Sequence, residues 1–132
     1  MGNLPVAELS TWGATWRRTL TLSEAADLIG FDVYADDDPD VELTRTTVPI
    51  DEIGLLYTRG ELEDNDAEDR FTSLEVGFDA GAHEVPPVVV LPGEGLRDGA
   101  HRTALAVERG YTHVSAYVTA PHAGVVGTGR RP

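Results

Sequence analysis

The side chains best suited to chemistry lie together at positions 98 to 102, which read Asp-Gly-Ala-His-Arg. Gly99 permits a sharp turn from a strand into a helix and lets a ligand approach the backbone. The amides that follow it in the first helical turn point outward, with the positive end of the helix dipole behind them. Arg102 adds a planar fork for two phosphate oxygens, and His101 can donate a hydrogen bond or move a proton near neutral pH. The pattern therefore predicts a phosphate site.

Asp98 is the unexpected member of this cluster, because a carboxylate beside a phosphate repels it unless a cation or a hydroxyl lies between them. We therefore consider Asp98 as a magnesium ligand, or as a group that orients a substrate hydroxyl. The alternative is structural, with Asp98 capping the following helix and Arg102 pairing with surface acids. Short motifs of this kind often occur by chance, so the surrounding elements must decide between the two.

The elements that must position the cluster follow one another in a regular order. Residues 87 to 91 form a continuous apolar run, typical of a strand buried on both faces, and a tight turn at 92 to 95 leads to a second strand at Leu96 and Arg97. A helix is predicted over 103 to 109, with Gly110 as its cap. Residues 114 to 118 alternate between apolar and polar side chains, which predicts a half-buried strand.

The upstream chain carries weaker signals. Thr21 to Glu24 reads as a capping box that opens a helix over Leu22 to Ile29, with Gly30 at its end. Trp12 and Trp16 are four residues apart, a spacing that would place them on one helical face. Residues 41 to 50 are rich in β-branched side chains and predict a strand. The spacing of Phe71, Leu74 and Phe78 predicts one apolar helix face, and the acids at 36 to 40 and 61 to 69 predict solvated acidic surfaces.

The order of elements from Pro86 to Val118 resembles the phosphate-binding core of the ParB/sulfiredoxin superfamily, which includes partitioning proteins, sulfiredoxins and free-serine kinases. A weaker resemblance covers residues 48 to 53, which read Val-Pro-Ile-Asp-Glu-Ile. The resemblance implies a single α/β (α+β) domain, a small mixed sheet with flanking helices, over residues 41 to 120. Residues 1 to 40 are then an N-terminal helical extension, and residues 121 to 132 a tail that we expect to be disordered.

The branches of this superfamily differ at the centre of the motif. Sulfiredoxins carry their catalytic cysteine where this chain has Ala100, so peroxiredoxin repair is excluded. Partitioning proteins carry Gly-Glu-Arg-Arg, and the glutamate is missing here. The Asp-Gly-His-x-Arg pattern of free-serine kinases is the nearest match. Those kinases use a glutamate after the first turn as catalytic base, which makes Glu61 the candidate in the stretch from 55 to 61.

The resemblance implies a small nucleotide-dependent enzyme, a phosphotransferase that uses ATP or ADP with Mg²⁺ and acts on a small hydroxyl-bearing substrate. Its catalytic residues would be Asp98, Glu61 and His101, with Asp98 as the metal ligand. Its nucleotide-binding residues would be Gly99, Ala100, His101, Arg102 and Thr103. A non-catalytic module that senses a nucleotide or binds a protein is the alternative, and Ala100 favours it because a functional side chain is lost there.

The overall charge limits the possible partners. The formal net charge is −13, from 23 acidic and 10 basic residues, and the chain has no lysine. Proteins bind nucleic acid largely by replacing counterions with Lys and Arg, so nucleic acid is not an expected partner and a nuclease is the weakest of the functions considered. The chain also lacks cysteine, a signal peptide and a long apolar run, so we expect a cytoplasmic protein that binds no membrane. The oligomeric state is left open.

Overall fold

The computed structural model describes residues 11–53, 59–62, 67–91 and 94–119. The strands are β1 (Thr19–Thr21), β2 (Glu42–Pro49), β3 (Val88–Leu91), β4 (Gly95–Asp98) and β5 (His113–Thr119). The helices are α1 (Leu22–Ala25), which continues as a π-turn (Ala26–Gly30), a 3₁₀ turn (Ile50–Glu52), α2 (Arg59–Leu62), α3 (Ala67–Asp79) and α4 (Ala100–Glu108). The predicted tail at 121 to 132 lies outside the described residues, as do Pro92 and Gly93 of the predicted turn.

The five described strands form one mixed sheet in the order β1-β2-β5-β3-β4. The pair β3 and β5 is parallel, and the other three pairs are antiparallel. The prediction of an α/β domain with a small mixed sheet and flanking helices is confirmed at this level. Residues 11–40 contain the short helix α1 and also contribute β1 to the sheet, so this part of the expected N-terminal extension shares the sheet with the residues after 41.

The strand β5 lies in the middle of the sheet and is buried on both faces. The prediction of a half-buried strand is therefore wrong. Its apolar side chains Val114, Ala116 and Val118 belong to the first of two core clusters. Tyr117 points to the opposite face and is fully buried in the second cluster, because α1 and the chain around it cover that face.

Two apolar layers hold the sheet between them. The first cluster packs α3 and α4 on the sheet through side chains such as Phe71, Phe78 and Leu105, which confirms the predicted apolar face of α3. The second cluster packs α1 on the other face through Leu20 and Leu22. Such two-sided burial is the usual way in which a mixed sheet excludes water from its backbone.

The two tryptophans do not share a helical face, since residues 11 to 16 form turns rather than a helix. Trp12 is buried in the first cluster, where its ring meets Phe78 edge-on at 4.9 Å and Tyr111 at 5.8 Å between centroids. Trp16 packs against the second cluster instead. The segment therefore crosses from one layer to the other, and backbone bonds from Gly13 to Ala82 and from Thr15 to His83 hold it.

The predicted helix start at Thr21 is confirmed. The Thr21 hydroxyl accepts a hydrogen bond from the Glu24 amide at 3.1 Å, and the Glu24 carboxylate accepts one from the Thr21 amide at 2.9 Å. Gly30 ends the π-turn with a φ of +100°, a conformation that favours glycine. Within the described ranges, none of the helices is long and apolar enough to cross a bilayer.

Candidate functional site

The turn from β4 into α4 has the geometry that the sequence predicts, with the helix beginning three residues earlier than expected. Gly99 has a φ of +110°, and a Cβ atom there would lie 2.5 Å from Cγ1 of Val88. Only glycine fits both the conformation and the close approach. Because α4 starts at Ala100, His101 and Arg102 belong to its first turn, where the backbone amides have no acceptor within the helix.

A cleft of about 850 Å³ opens beside this turn. One wall is the chain from Glu94 to Arg102, except for residue 95, and the other is the start of α3. The end of the π-turn closes a third side. Its lining residues are Ile29, Gly30, Asp69, Arg70, Ser73, Leu74, Glu94, Leu96, Arg97, Asp98, Gly99, Ala100, His101 and Arg102. Four of the five predicted binding residues therefore line one cavity.

Asp98 and Arg102 bind each other. Nη2 of Arg102 donates to Oδ2 of Asp98 at 2.8 Å, and the two side chains are 13% and 28% exposed, Arg102 being the more buried. Burial lowers the pKa of Arg102, while Asp98 opposes this shift, and a guanidinium stays charged in any case. The residue at the N-cap of α4 is Gly99 and no side chain caps the helix, so Asp98 is not a cap. The structural alternative is thus half correct, because Arg102 does pair with an acid, and that acid is Asp98 itself.

Arg97 is a second buried cation in the wall of the cleft. Its guanidinium donates to Asp37 through Nη1 and Nη2, both at 2.9 Å, and to Glu94 through Nε at 2.9 Å and Nη2 at 2.7 Å. The ring of Tyr34 lies 4.4 Å from the guanidinium carbon. These bonds raise the pKa of Arg97, and the bond from Arg97 is the main cause that lowers the pKa of Asp37. Asp37 is therefore an anchor for the loop between α1 and β2 rather than part of a solvated acidic surface.

The remaining predicted site residues lie in three different environments. His101 lines the cleft, partly buried, with its ring 5.3 Å from that of Phe71. Thr103 is buried and not among the lining residues, and its amide donates to the Gly99 carbonyl at 2.8 Å, so a ligand cannot use that amide. Glu61 is exposed on α2, which packs against α4, but it is not among the lining residues either.

Two lining residues of α3 were missed by the sequence analysis. Arg70 is exposed, and the described part of the chain offers its guanidinium no hydrogen-bond or ion-pair partner. Ser73 lies one turn further along the same helix. Their positions in the sequence could have indicated this. Arg70 and Ser73 directly precede Phe71 and Leu74 of the apolar face, and residues that flank a buried helix face lie at the edge of the packed surface.

The charges of the lining sum to zero in a protein with a net charge of −13. The acids Asp69, Glu94 and Asp98 balance the three arginines, of which Arg97 and Arg102 are already paired. Among the residues described, no three His, Cys, Asp or Glu side chains come close enough together to hold a metal ion. A Mg²⁺ ion held by Asp98 would complete its coordination with water and with oxygens of a ligand.

Comparison with protein-family models, with curated proteins and with solved structures finds no match to this chain.

Proposed function

We propose that the cleft binds a small phosphate-bearing molecule of the nucleotide class. The observation that carries this proposal is that the first turn of α4 opens into the cleft beside an exposed Arg70. Helix N-termini attract anions through their unpaired amides and the helix dipole. Arg70 would supply the full positive charge, because the guanidinium of Arg102 is held by Asp98 and that of Arg97 by two carboxylates.

The size and chemistry of the cleft agree with a ligand larger than phosphate. A volume of about 850 Å³ lies within the range of small-molecule sites. Ile29, Leu74 and Leu96 give the cleft an apolar portion, which suits the organic part of a phosphate ester. Ser73 and His101 add hydrogen-bonding groups of the kind that orient a ligand.

Phosphoryl transfer is the second candidate, and the partial exposure of Asp98 toward the cleft favours it. The described contact with Arg102 uses only Oδ2, so Oδ1 of Asp98 would be available to hold a Mg²⁺ ion, which would supply positive charge next to the phosphates. In this scheme ATP or ADP is the donor, and His101 binds a phosphate oxygen or moves a proton. Glu61, which is not among the lining residues, would be the base for a small hydroxyl-bearing acceptor.

Calorimetry with ATP and ADP, with and without Mg²⁺, tests the binding proposal. Arg70→Ala removes a charge-assisted contact, so we expect a loss of about 1.5–3 kcal/mol, roughly 10- to 150-fold in affinity. Arg18→Ala is the matched control, because Arg18 is an exposed arginine beside β1, at the opposite edge of the sheet from β4. Equal affinity in the two variants, or no binding by the unmodified protein, would contradict the proposal.

Asp98→Asn separates catalysis from binding alone. Asparagine keeps the shape and can still accept from Arg102, but it is a poor ligand for Mg²⁺ and no base. If the protein is a phosphotransferase, nucleotide turnover with a pool of small hydroxyl compounds should fall by orders of magnitude in this variant. If the unmodified protein binds nucleotide and turns none over, the non-catalytic sensor is the better description.

A further inference from the structure

We propose that the carboxylate of Glu94 occupies the place of a second anionic group of the ligand, so that the cleft is built for two linked phosphates rather than one. This inference rests on the proposed function, because it concerns the same cleft. It depends on the two sides of the Arg97 guanidinium. One side binds a buried carboxylate, that of Asp37, and the other binds an exposed carboxylate, that of Glu94.

The side of Arg97 formed by Nη1 and Nη2 has a structural partner. Asp37 receives both bonds at 2.9 Å, its side chain is only 10% exposed, and it also accepts the Tyr34 amide at 2.6 Å. With Arg97 itself 4% exposed, this pair alone neutralises the buried cation. Breaking a buried pair leaves an uncompensated charge, so Asp37 should stay in place whatever the cleft contains.

The side formed by Nε and Nη2 has a replaceable partner. Glu94 binds it at 2.9 and 2.7 Å but is 45% exposed and lines the cleft. Within the described chain its carboxylate forms hydrogen bonds and an ion pair with Arg97 alone. Two parallel N–H groups of this kind match the oxygens of a phosphate as well as those of a carboxylate. Glu94 is moreover a second acid on a cation that Asp37 has already neutralised.

The place of Arg97 in the chain links it to the proposed phosphate site. It lies two residues before Gly99 in β4, and both residues line the cleft. A phosphate at the start of α4 would bring a second, covalently linked phosphate close to Arg97 at high effective concentration. That second phosphate can displace Glu94 from Arg97. A single phosphate bound at α4 carries no second group to do this.

Glu94 therefore acts as an internal competitor, and its removal should favour diphosphates selectively. Calorimetry with inorganic pyrophosphate and inorganic phosphate on the full chain tests this. Glu94→Gln keeps the size of the side chain and removes its charge, so we expect pyrophosphate to bind about tenfold more tightly, with phosphate unchanged within about twofold. Glu42→Gln is the matched control, since Glu42 is exposed on β2 and two strands separate β2 from β4.

The outcomes distinguish this inference from the proposed function. A selective gain for pyrophosphate in Glu94→Gln, with Glu42→Gln like the unmodified protein, supports it. If the unmodified protein binds phosphate but Glu94→Gln leaves pyrophosphate affinity unchanged, or raises both affinities equally, the inference is overturned and the proposed phosphate site stands. If neither anion binds any variant, both are overturned.

Discussion

Replacing Gly99 by alanine should destabilise the protein even when no ligand is present. The added Cβ would lie 2.5 Å from Cγ1 and 2.6 Å from Cβ of Val88, well inside van der Waals contact. The φ of +110° adds a second penalty. The two penalties can be separated, because Gly30 has a similar φ of +100° but a methyl group placed there would meet nothing within 4 Å. Gly30→Ala is therefore a control for the backbone penalty alone.

The backbone penalty is about 1–2 kcal/mol for an L-residue in the left-handed region. Alanine recovers roughly 0.4–1 kcal/mol of it by restricting the unfolded chain. The net cost of Gly30→Ala is then about 0–1.5 kcal/mol. Forcing a methyl group into a packed site adds about 1–3 kcal/mol, so Gly99→Ala should cost roughly 1–4.5 kcal/mol.

Urea unfolding of both variants, followed by circular dichroism, measures these differences. Val88→Ala supplies the space that the new methyl group needs, so it should cost less in the Gly99→Ala background than in the unmodified protein. The coupling energy of this double-mutant cycle should be about 1–2 kcal/mol. If Gly99→Ala and Gly30→Ala cost the same and the cycle shows no coupling, the contact between the turn and β3 is wrong, and so is the position of α4.

Two further predictions concern the core. Trp12→Ala should cost about 3–5 kcal/mol in urea unfolding, and Trp16→Ala clearly less, because Trp12 is fully enclosed and Trp16 only partly buried. Equal costs would contradict this difference in burial. Burial raises the pKa of Tyr117 above its ordinary value of 10.0. The folded state then keeps a proton that the unfolded state loses, so stability should fall as the pH rises above about 10. Tyr117→Phe should lack this component of the fall, although it loses about 1 kcal/mol at neutral pH with the bond from the hydroxyl to the Arg17 carbonyl. A stability difference between the two proteins that is constant from about pH 8 to 11 would refute this.

Local signals predicted the elements well where one segment contains all the information. The capping box at Thr21, the apolar face of α3 and the buried run of β3 each depend on residues within one or two turns of the chain. The misjudged elements depend on partners elsewhere. β5 alternates like a half-buried strand, yet α1 covers the face that its polar positions predicted to be wet. The alternation of polar and apolar residues in one strand does not reveal which other elements pack on its two faces.

In the candidate site too, features set by neighbouring residues were predicted, whereas features set by distant residues were not. The turn at Gly99 was predictable because glycine, strand and helix are adjacent in sequence. The anchor between Asp37 and Arg97 joins residues 60 positions apart, and the sequence assigned Asp37 to a solvated acidic surface. Arg70 reaches the cleft from α3, about 30 positions before α4. Its role became visible only after the packing of α3 beside α4 was known.

The pairing of Asp98 with Arg102 changes how the charge of Asp98 is balanced in the motif. An acid beside a phosphate repels it unless a cation or a substrate hydroxyl lies between them, and the sequence analysis considered Mg²⁺ as that cation. The structure provides a cation one helical turn away, since Arg102 follows Asp98 by four residues and binds it at 2.8 Å. The two charges of the motif therefore largely cancel, and under the proposed function the attraction for a phosphate would come from the amides of α4 and from Arg70. In that proposal the motif would build the shape of the site, whereas Arg70 of the neighbouring helix α3 would supply its charge.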